Sequence, residues 1–217
     1  MKEDIRMIIL DLDGVLVDIK SSWNYIHKTF QVNNREHLKK YLCGEISYKE
    51  FMRKDIHLWG PIHIDQIRTI MNQIPLMNGA KKLIYELKKA GYKTAIISSG
   101  ISILANRIKE ELGIDYAFAN KLLIDEDGML TGEGEEVVRL SAKMEVFNKL
   151  VFSEGITPQQ CTVVGDGIYD IPLFKEAGFS IAFNTKNEQV KKAADIVIKE
   201  KDLTKLLPYL SNKLINK

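Results

Sequence analysis

Apolar residues in this chain come in short runs that stop abruptly at polar residues or glycine. Met7-Ile-Ile-Leu10 ends at Asp11, and similar runs occupy Lys93–Ile97, Cys161–Val164, Phe179–Phe183 and Ile196–Ile198. Such runs read as strands buried on both faces. Between them the apolar positions recur at helical spacing. Ala80–Ala90 carries Leu83, Ile84 and Leu87 on one face, with Asn78 as the expected N-cap and Gly91 as the stop. Further helices are predicted over Ser102–Leu112, Ser141–Glu154, Pro172–Ala177, Asn187–Ala194 and Asp202–Ile215. Glycines at 113, 155 and 178 close three of them. Alternating strands and helices predict an α/β fold, a mostly parallel sheet with helices on both faces.

Two stretches break the alternation. Residues 16–76 hold no convincing strand but are rich in large apolar side chains, among them Trp23, Phe30, Tyr41, Phe51, Trp59 and Met71. A crossover helix needs about a dozen residues, so this stretch predicts a helical cap subdomain inserted after the first strand. The second break is Leu122–Thr131, where Asp127-Gly128 between two apolar stretches signals a β-hairpin at about 121–133. The predicted organisation is a core domain over 1–15 and 77–217 and a cap over 16–76.

Composition narrows the function classes. A chain of 217 residues with 45% hydrophobic and 28% charged residues has the profile of a soluble globular protein. Its net charge of +2 gives no reason to expect nucleic acid or an anionic membrane as partner. No apolar run nears the roughly 18 residues a membrane helix needs, and acidic residues flank the N-terminal run with no cleavage-type site after it. A cytoplasmic monomer or homodimer is expected. Cys43 and Cys161 lie far apart and read as free thiols, and His27, His37, His57 and His63 lack zinc-ligand spacing.

The chemistry gathers at strand ends, where open α/β sheets bind ligands. The first strand runs into Asp11-Leu-Asp13-Gly14, the second into Ser98-Ser99-Gly100, and the Cys161–Val164 strand into Gly165-Asp166-Gly167-Ile168-Tyr169-Asp170. Four carboxylates on one rim would repel one another unless a cation sat among them. Mg²⁺ suits such a site, because it takes one or two carboxylates together with water and phosphate oxygens. Ser98 and the backbone N–H groups near Gly100 supply donors for an anion.

These motifs, in this order, resemble those of the haloacid dehalogenase (HAD) superfamily, with a Rossmann-like core, and within it the phosphoserine phosphatase-like subgroup. The likeness spans nearly the whole chain. It implies Asp11 as nucleophile, Asp13 as general acid and base, and Ser98 as the phosphate-binding hydroxyl beside Ser99 and Gly100. Lys143, in Leu140-Ser-Ala-Lys-Met144, matches the phosphate-binding lysine. Asp166 and Asp170, with Asp11 and Asp13, match the Mg²⁺ site. An acid at position 13 favours a phosphatase or phosphomutase over a dehalogenase or transport ATPase. The implied activity is Mg²⁺-dependent hydrolysis of a small phosphate monoester through an aspartyl-phosphate intermediate. The alternatives are phosphotransfer to a second alcohol, and a non-catalytic binding protein on the same fold.

Departures from the subgroup fall where substrate is selected. Val15 replaces the usual Thr and Tyr169 a frequent Asn. The acid expected to meet the substrate's amino acid end falls on Lys20, and the cap arginine expected to meet its carboxylate falls on Asp55. Lys20, Asp55, Trp23 and Phe51 are therefore the candidate specificity residues.

Overall fold

The computed structural model describes residues 4–210. The chain opens with β1 (Met7–Leu10) and then four helices, α1 (Ser22–Thr29), α2 (Arg35–Leu42), α3 (Tyr48–His57) and α4 (Ile64–Asn72). It continues through α5 (Ala80–Lys89), β2 (Lys93–Ile101), α6 (Ser102–Leu112), β3 (Tyr116–Ile124) and β4 (Leu130–Glu135). The last part holds α7 (Lys143–Ser153), β5 (Cys161–Gly165), α8 (Ile171–Glu176), β6 (Phe179–Phe183), α9 (Glu188–Ala193) and β7 (Ile196–Ile198).

The seven strands form one sheet in the order β4-β3-β2-β1-β5-β6-β7, parallel throughout except for β4. β1 lies centrally, with Met7 opposite Lys93 on one side and Cys161 on the other. Its four residues are all buried, and they alternate between two cores as a strand's two-residue period requires. Ile8 and Leu10 join Leu83, Leu87, Leu104 and Ile108 of α5 and α6. Met7 and Ile9 join Phe147, Leu150, Leu173 and Phe174 of α7 and α8.

The helices α1–α4 leave and return side by side. Val17 bridges Leu76, and the Met77 N–H donates to the Leu16 carbonyl at 2.9 Å. Ile26, Met52, Ile56, Ile67 and Met71 of these helices belong to the same apolar cluster as α5 and α6. Arg107 of α6 reaches over to donate to the Met71 and Ile74 carbonyls, both at 2.7 Å, and so satisfies acceptors at the end of α4. The hairpin also meets the helical layer, since Ile64 N–H donates to Gly128 O and Leu130 N–H to Ile62 O.

Several local expectations change. β2 does not stop at Ile97 but runs through Ser98-Ser99-Gly100 to Ile101, with a register shift against β3 between Ile97 and Ile101. The hydroxyl-glycine segment is therefore an irregular strand end rather than a turn. β3 begins at Tyr116, and its first half extends the parallel sheet before its second half forms the hairpin. The half-buried Tyr116-Ala-Phe118 offers no clean apolar run to mark it. The N-cap of α5 is Gly79, in the left-handed region at φ 79°, not Asn78. Of the helix expected over Asp202–Ile215, Leu203–Tyr209 is 3₁₀ and contains Pro208, while residues 211–215 lie outside the described part.

Candidate active site

A cavity of about 370 Å³ opens at the carboxyl ends of β1, β2 and β5, beneath the helical layer. Its lower wall carries Asp11, Asp13, Ser98, Ser99, Gly100, Lys143, Asp166 and Asp170. Its upper wall carries Lys20, Trp23, Phe51 and Asp55. Every residue expected to act in catalysis, phosphate binding, metal binding or specificity thus borders one space, although the motifs lie up to 159 positions apart along the chain; Val15 does not line it.

Asp11 is set by β1 itself, its N–H donating to the Val164 carbonyl at 3.0 Å. Lys143, the first residue of α7 and 3% exposed, spans two acids: its Nζ lies 2.9 Å from Asp11 Oδ2 and 2.7 Å from Asp170 Oδ1. The other Asp170 oxygen accepts the N–H groups of Asp166 at 3.2 Å and Gly167 at 3.0 Å. Asp170 therefore ties the lysine to the loop after β5. One carboxylate oxygen each from Asp11, Asp166 and Asp170 lie within 4.8 Å of one another.

Asp13 points elsewhere. Its Oδ2 accepts both the N–H of Ser22 at 2.7 Å and the Ser22 hydroxyl at 2.9 Å, and its Oδ1 is buried without a hydrogen-bond partner. Ser98 Oγ accepts the Gly100 N–H at 3.1 Å, which leaves the hydroxyl proton for another acceptor. Gly100 is required by contact: a Cβ there would stand 2.6 Å from Ser22 Oγ and 3.0 Å from Asp13 Oδ2. Gly14, at φ +84°, likewise gives way to Asp166, whose Oδ2 would lie 2.3 Å from a Cβ.

Ser99 supplies its carbonyl, which accepts Trp23 Nε1 at 3.1 Å, Asn120 Nδ2 at 2.9 Å and, more distantly, Tyr48 Oη at 3.5 Å. Asn120 is fully buried and also bonds Tyr48 Oη, Val138 O and the N–H groups of Val137 and Val138. The peptide between Ser99 and Gly100 is thereby held from both the helical layer and the hairpin.

Acids outnumber the one ammonium on this rim. Burial pushes the Asp11 carboxyl up to about 7 despite Lys143, with Asp170 and Asp13 adding repulsion. Burial, then repulsion from Asp11, Asp170 and Asp13, pushes Asp166 up to about 8. Asp13 is raised by burial, against the pull of its two Ser22 hydrogen bonds. Burial works to lower the Lys143 ammonium, but Asp11 and Asp170 outweigh it and hold the pKa above its usual value. Three convergent carboxylate oxygens, from Asp11, Asp166 and Asp170, suit a small, hard divalent ion, for which oxygen is the preferred donor.

Ser22, Tyr48 and Asn120 escaped the sequence reading. Ser22 follows Ser21, the N-cap of α1, and that Ser-Ser pair nine residues past Asp13 is the one signal that pointed to it. Nothing local marks Tyr48 or Asn120, because their partners are 51 and 21 residues away.

A parallel sheet with acids on the rim of its central strands and a helical insertion over them defines a class of hydrolases. The haloacid dehalogenase-like hydrolase model matches residues 5–178, and the chain belongs to that family. A phosphoserine phosphatase of Methanocaldococcus jannaschii is 36% identical over 212 residues, covering 97% of this chain and 100% of that protein. The phosphoserine phosphatase of Saccharomyces cerevisiae is 30% identical over 210 residues, covering 94% of this chain and 67% of that one. Among solved structures, a phospho-aspartyl intermediate analogue of phosphoserine phosphatase has a TM-score of 0.80 at 36% identity, covering 95% of this chain and 99% of that chain. Among the described residues, no helix is long and apolar enough to cross a membrane.

Proposed function

We propose that this protein is a Mg²⁺-dependent phosphomonoesterase that works through an aspartyl-phosphate on Asp11. The observation that carries the reading is the placement of Asp11 at the end of the central strand, 2.9 Å from the buried Lys143 ammonium and across the rim from Ser98. A phosphate monoester repels an anionic nucleophile, and Lys143 offsets that charge while Ser98 Oγ and the backbone of Ser99-Gly100 orient the phosphoryl oxygens. Asp11 Oδ attacks phosphorus, the P–O bond to the leaving alcohol breaks, and Asp13 delivers a proton to the departing oxygen. Asp13, now ionised, takes a proton from the water that attacks the acyl phosphate, releasing inorganic phosphate and restoring Asp11.

Asp11 and Asp166 would hold the Mg²⁺, with Asp170 anchoring Lys143 and the loop behind them. When bound, the ion neutralises the crowded carboxylates and polarises the phosphoryl group. The sequence motifs also place Asp13 among the metal acids, but its carboxylate turns to Ser22 and lies outside the cluster of Asp11, Asp166 and Asp170, which favours the proton-transfer role. The substrate is a small phosphorylated metabolite, as a cavity of about 370 Å³ allows. Its recognition differs from that of the phosphoserine phosphatase relatives, since exposed Lys20 stands at the mouth and buried Asp55 under the helices.

Phosphate release from p-nitrophenyl phosphate and from a panel of phosphorylated metabolites tests the reading. Turnover that EDTA abolishes and Mg²⁺ restores is expected. Absence of release from every ester in the presence of Mg²⁺ overturns it.

A further inference from the structure

The upper wall of the cavity contains a buried carboxylate whose partners are an amide and two imidazoles. Asp55 is 1% exposed, yet it borders the cavity. Trp59 Nε1 donates to His27 Nδ1 at 2.9 Å, so His27 carries its proton on Nε2 and donates it to Asp55 Oδ2 at 3.1 Å. Asn34 Nδ2 donates to the same oxygen. His37 Nδ1 stands 3.4 Å from Oδ1, which leaves Oδ1 the less engaged of the two. Among the described residues no Lys or Arg pairs with Asp55; its ion-pair partners are the two imidazoles alone. Neither donor on Oδ2, a neutral imidazole and an amide, brings a full positive charge, His37 brings one only when protonated, and a carboxylate buried among such partners gains from a cation placed against it.

The walls around this point suit such a cation. Trp23, Tyr48 and Phe51 line the same cavity as Asp55. Trp23 is backed by Trp59 at 5.5 Å between ring centroids, and Phe51 by Tyr41 at 5.3 Å in a stacked pair. Aromatic faces attract ammonium groups and do nothing for carboxylates. Among the described residues no arginine lines the cavity, so the planar, two-pronged donor that best binds a carboxylate is missing, and Lys20, the cation on this wall, is exposed.

We propose that Asp55 reads an ammonium group at the end of the substrate away from the phosphate, so that the preferred substrates are phosphate esters of small amino alcohols. This inference rests on the phosphomonoesterase reading above. His27, Asn34 and Trp59 act through Asp55, as positioning residues that fix its rotamer.

The test compares three two-carbon esters that differ only at the far end: O-phosphoethanolamine, 2-hydroxyethyl phosphate and 2-phosphoglycolate. The expected order of kcat/KM is ammonium, then hydroxyl, then carboxylate, with at least about tenfold between first and last. In Asp55→Asn the ammonium-to-hydroxyl ratio should fall close to one, mainly through KM. Equal or better use of 2-phosphoglycolate by the wild-type protein overturns the inference. So does an Asp55→Asn protein that loses activity on all three esters by the same factor, the result of a purely structural role. If Asp55→Asn does not fold, the wild-type order decides alone. If the wild-type protein hydrolyses no ester, p-nitrophenyl phosphate included, the enzymatic reading has failed. The order of binding constants for the same three esters by calorimetry then decides whether Asp55 reads an ammonium group.

Discussion

Ser22 clasps Asp13 with both its backbone N–H and its hydroxyl, at 2.7 and 2.9 Å from one carboxylate oxygen. The first residue of α1 therefore positions a side chain from the rim of the sheet. Its hydroxyl also accepts the Ile101 N–H at 3.2 Å, linking the same point to the end of β2. Ser22→Ala keeps the N–H bond and loses the other two. Hydrogen bonds to charged groups contribute about 1.5–3 kcal/mol, so kcat should fall by roughly 10–100-fold with a smaller change in KM. Steady-state kinetics on an alkyl and an aryl phosphate would check it. A rise confined to KM would show that Ser22 serves binding rather than Asp13.

Asp11 and Asp13 should separate cleanly by substitution. Asp11→Asn removes the attacking oxygen's charge and should leave no measurable phosphate release, with the fold intact by circular dichroism because the residue sits on the rim of the cavity. Asp13→Asn should slow alkyl ester hydrolysis by about 10²–10⁴, and aryl esters less, because their leaving groups need less protonation. Equal losses on both ester types would remove Asp13 from the role of proton donor.

The metal-free protein should lose stability as pH rises. Asp11 and Asp166 are raised from the ordinary 3.8 to about 7 and about 8 in the fold. Between these values the unfolded chain has released protons that the folded chain still holds, so the slope of stability against pH is negative. The midpoint of thermal unfolding in EDTA should therefore fall between pH 5.5 and pH 8. Mg²⁺ binds the folded, ionised site and should raise the midpoint most at the upper end. Scanning calorimetry across pH with EDTA or Mg²⁺ would check it, and an Mg²⁺ effect of the same size at every pH would contradict the assignment of these acids.

Asn120 should matter to stability as well as to activity. Asn120→Ala leaves the N–H groups of Val137 and Val138 without their acceptor, and the Ser99 carbonyl without one of its donors. Each buried group left unsatisfied costs about 1–3 kcal/mol. For a chain of this size 1 kcal/mol shifts the thermal midpoint by roughly 2–4 °C, so a drop on the order of 10 °C is expected. Asn120→Asp keeps the acceptor but turns a carboxylate oxygen toward the Ser99 and Val138 carbonyls, and should destabilise at least as much. A midpoint unchanged in Asn120→Ala would mean that water replaces the amide.

The rim of acids was legible in the sequence because each motif is local. A strand buried on both faces must be apolar, and it must end where the chain meets ligand or solvent. The boundaries at Leu10–Asp11 and Val164–Gly165–Asp166 therefore announce both the strand and its site. The helical stretch after β1 was legible for a similar reason, as sixty residues rich in large apolar side chains without a strand signal. What the tertiary structure alone decided are contacts between distant segments. Ser22 reaches Asp13 only because the chain folds back after β1, Asn120 reaches Ser99 only because β3 pairs with an irregular β2, and Asp55 acquires three partners from α1 and the start of α2. No spacing rule encodes such contacts, since a hydrogen bond over tens of residues depends on the whole packing and not on any local period. The charge of Lys20 and Asp55 could be read in the sequence. That the first stands exposed at the mouth while the second is buried against imidazole and amide was set by how the helices pack over the sheet.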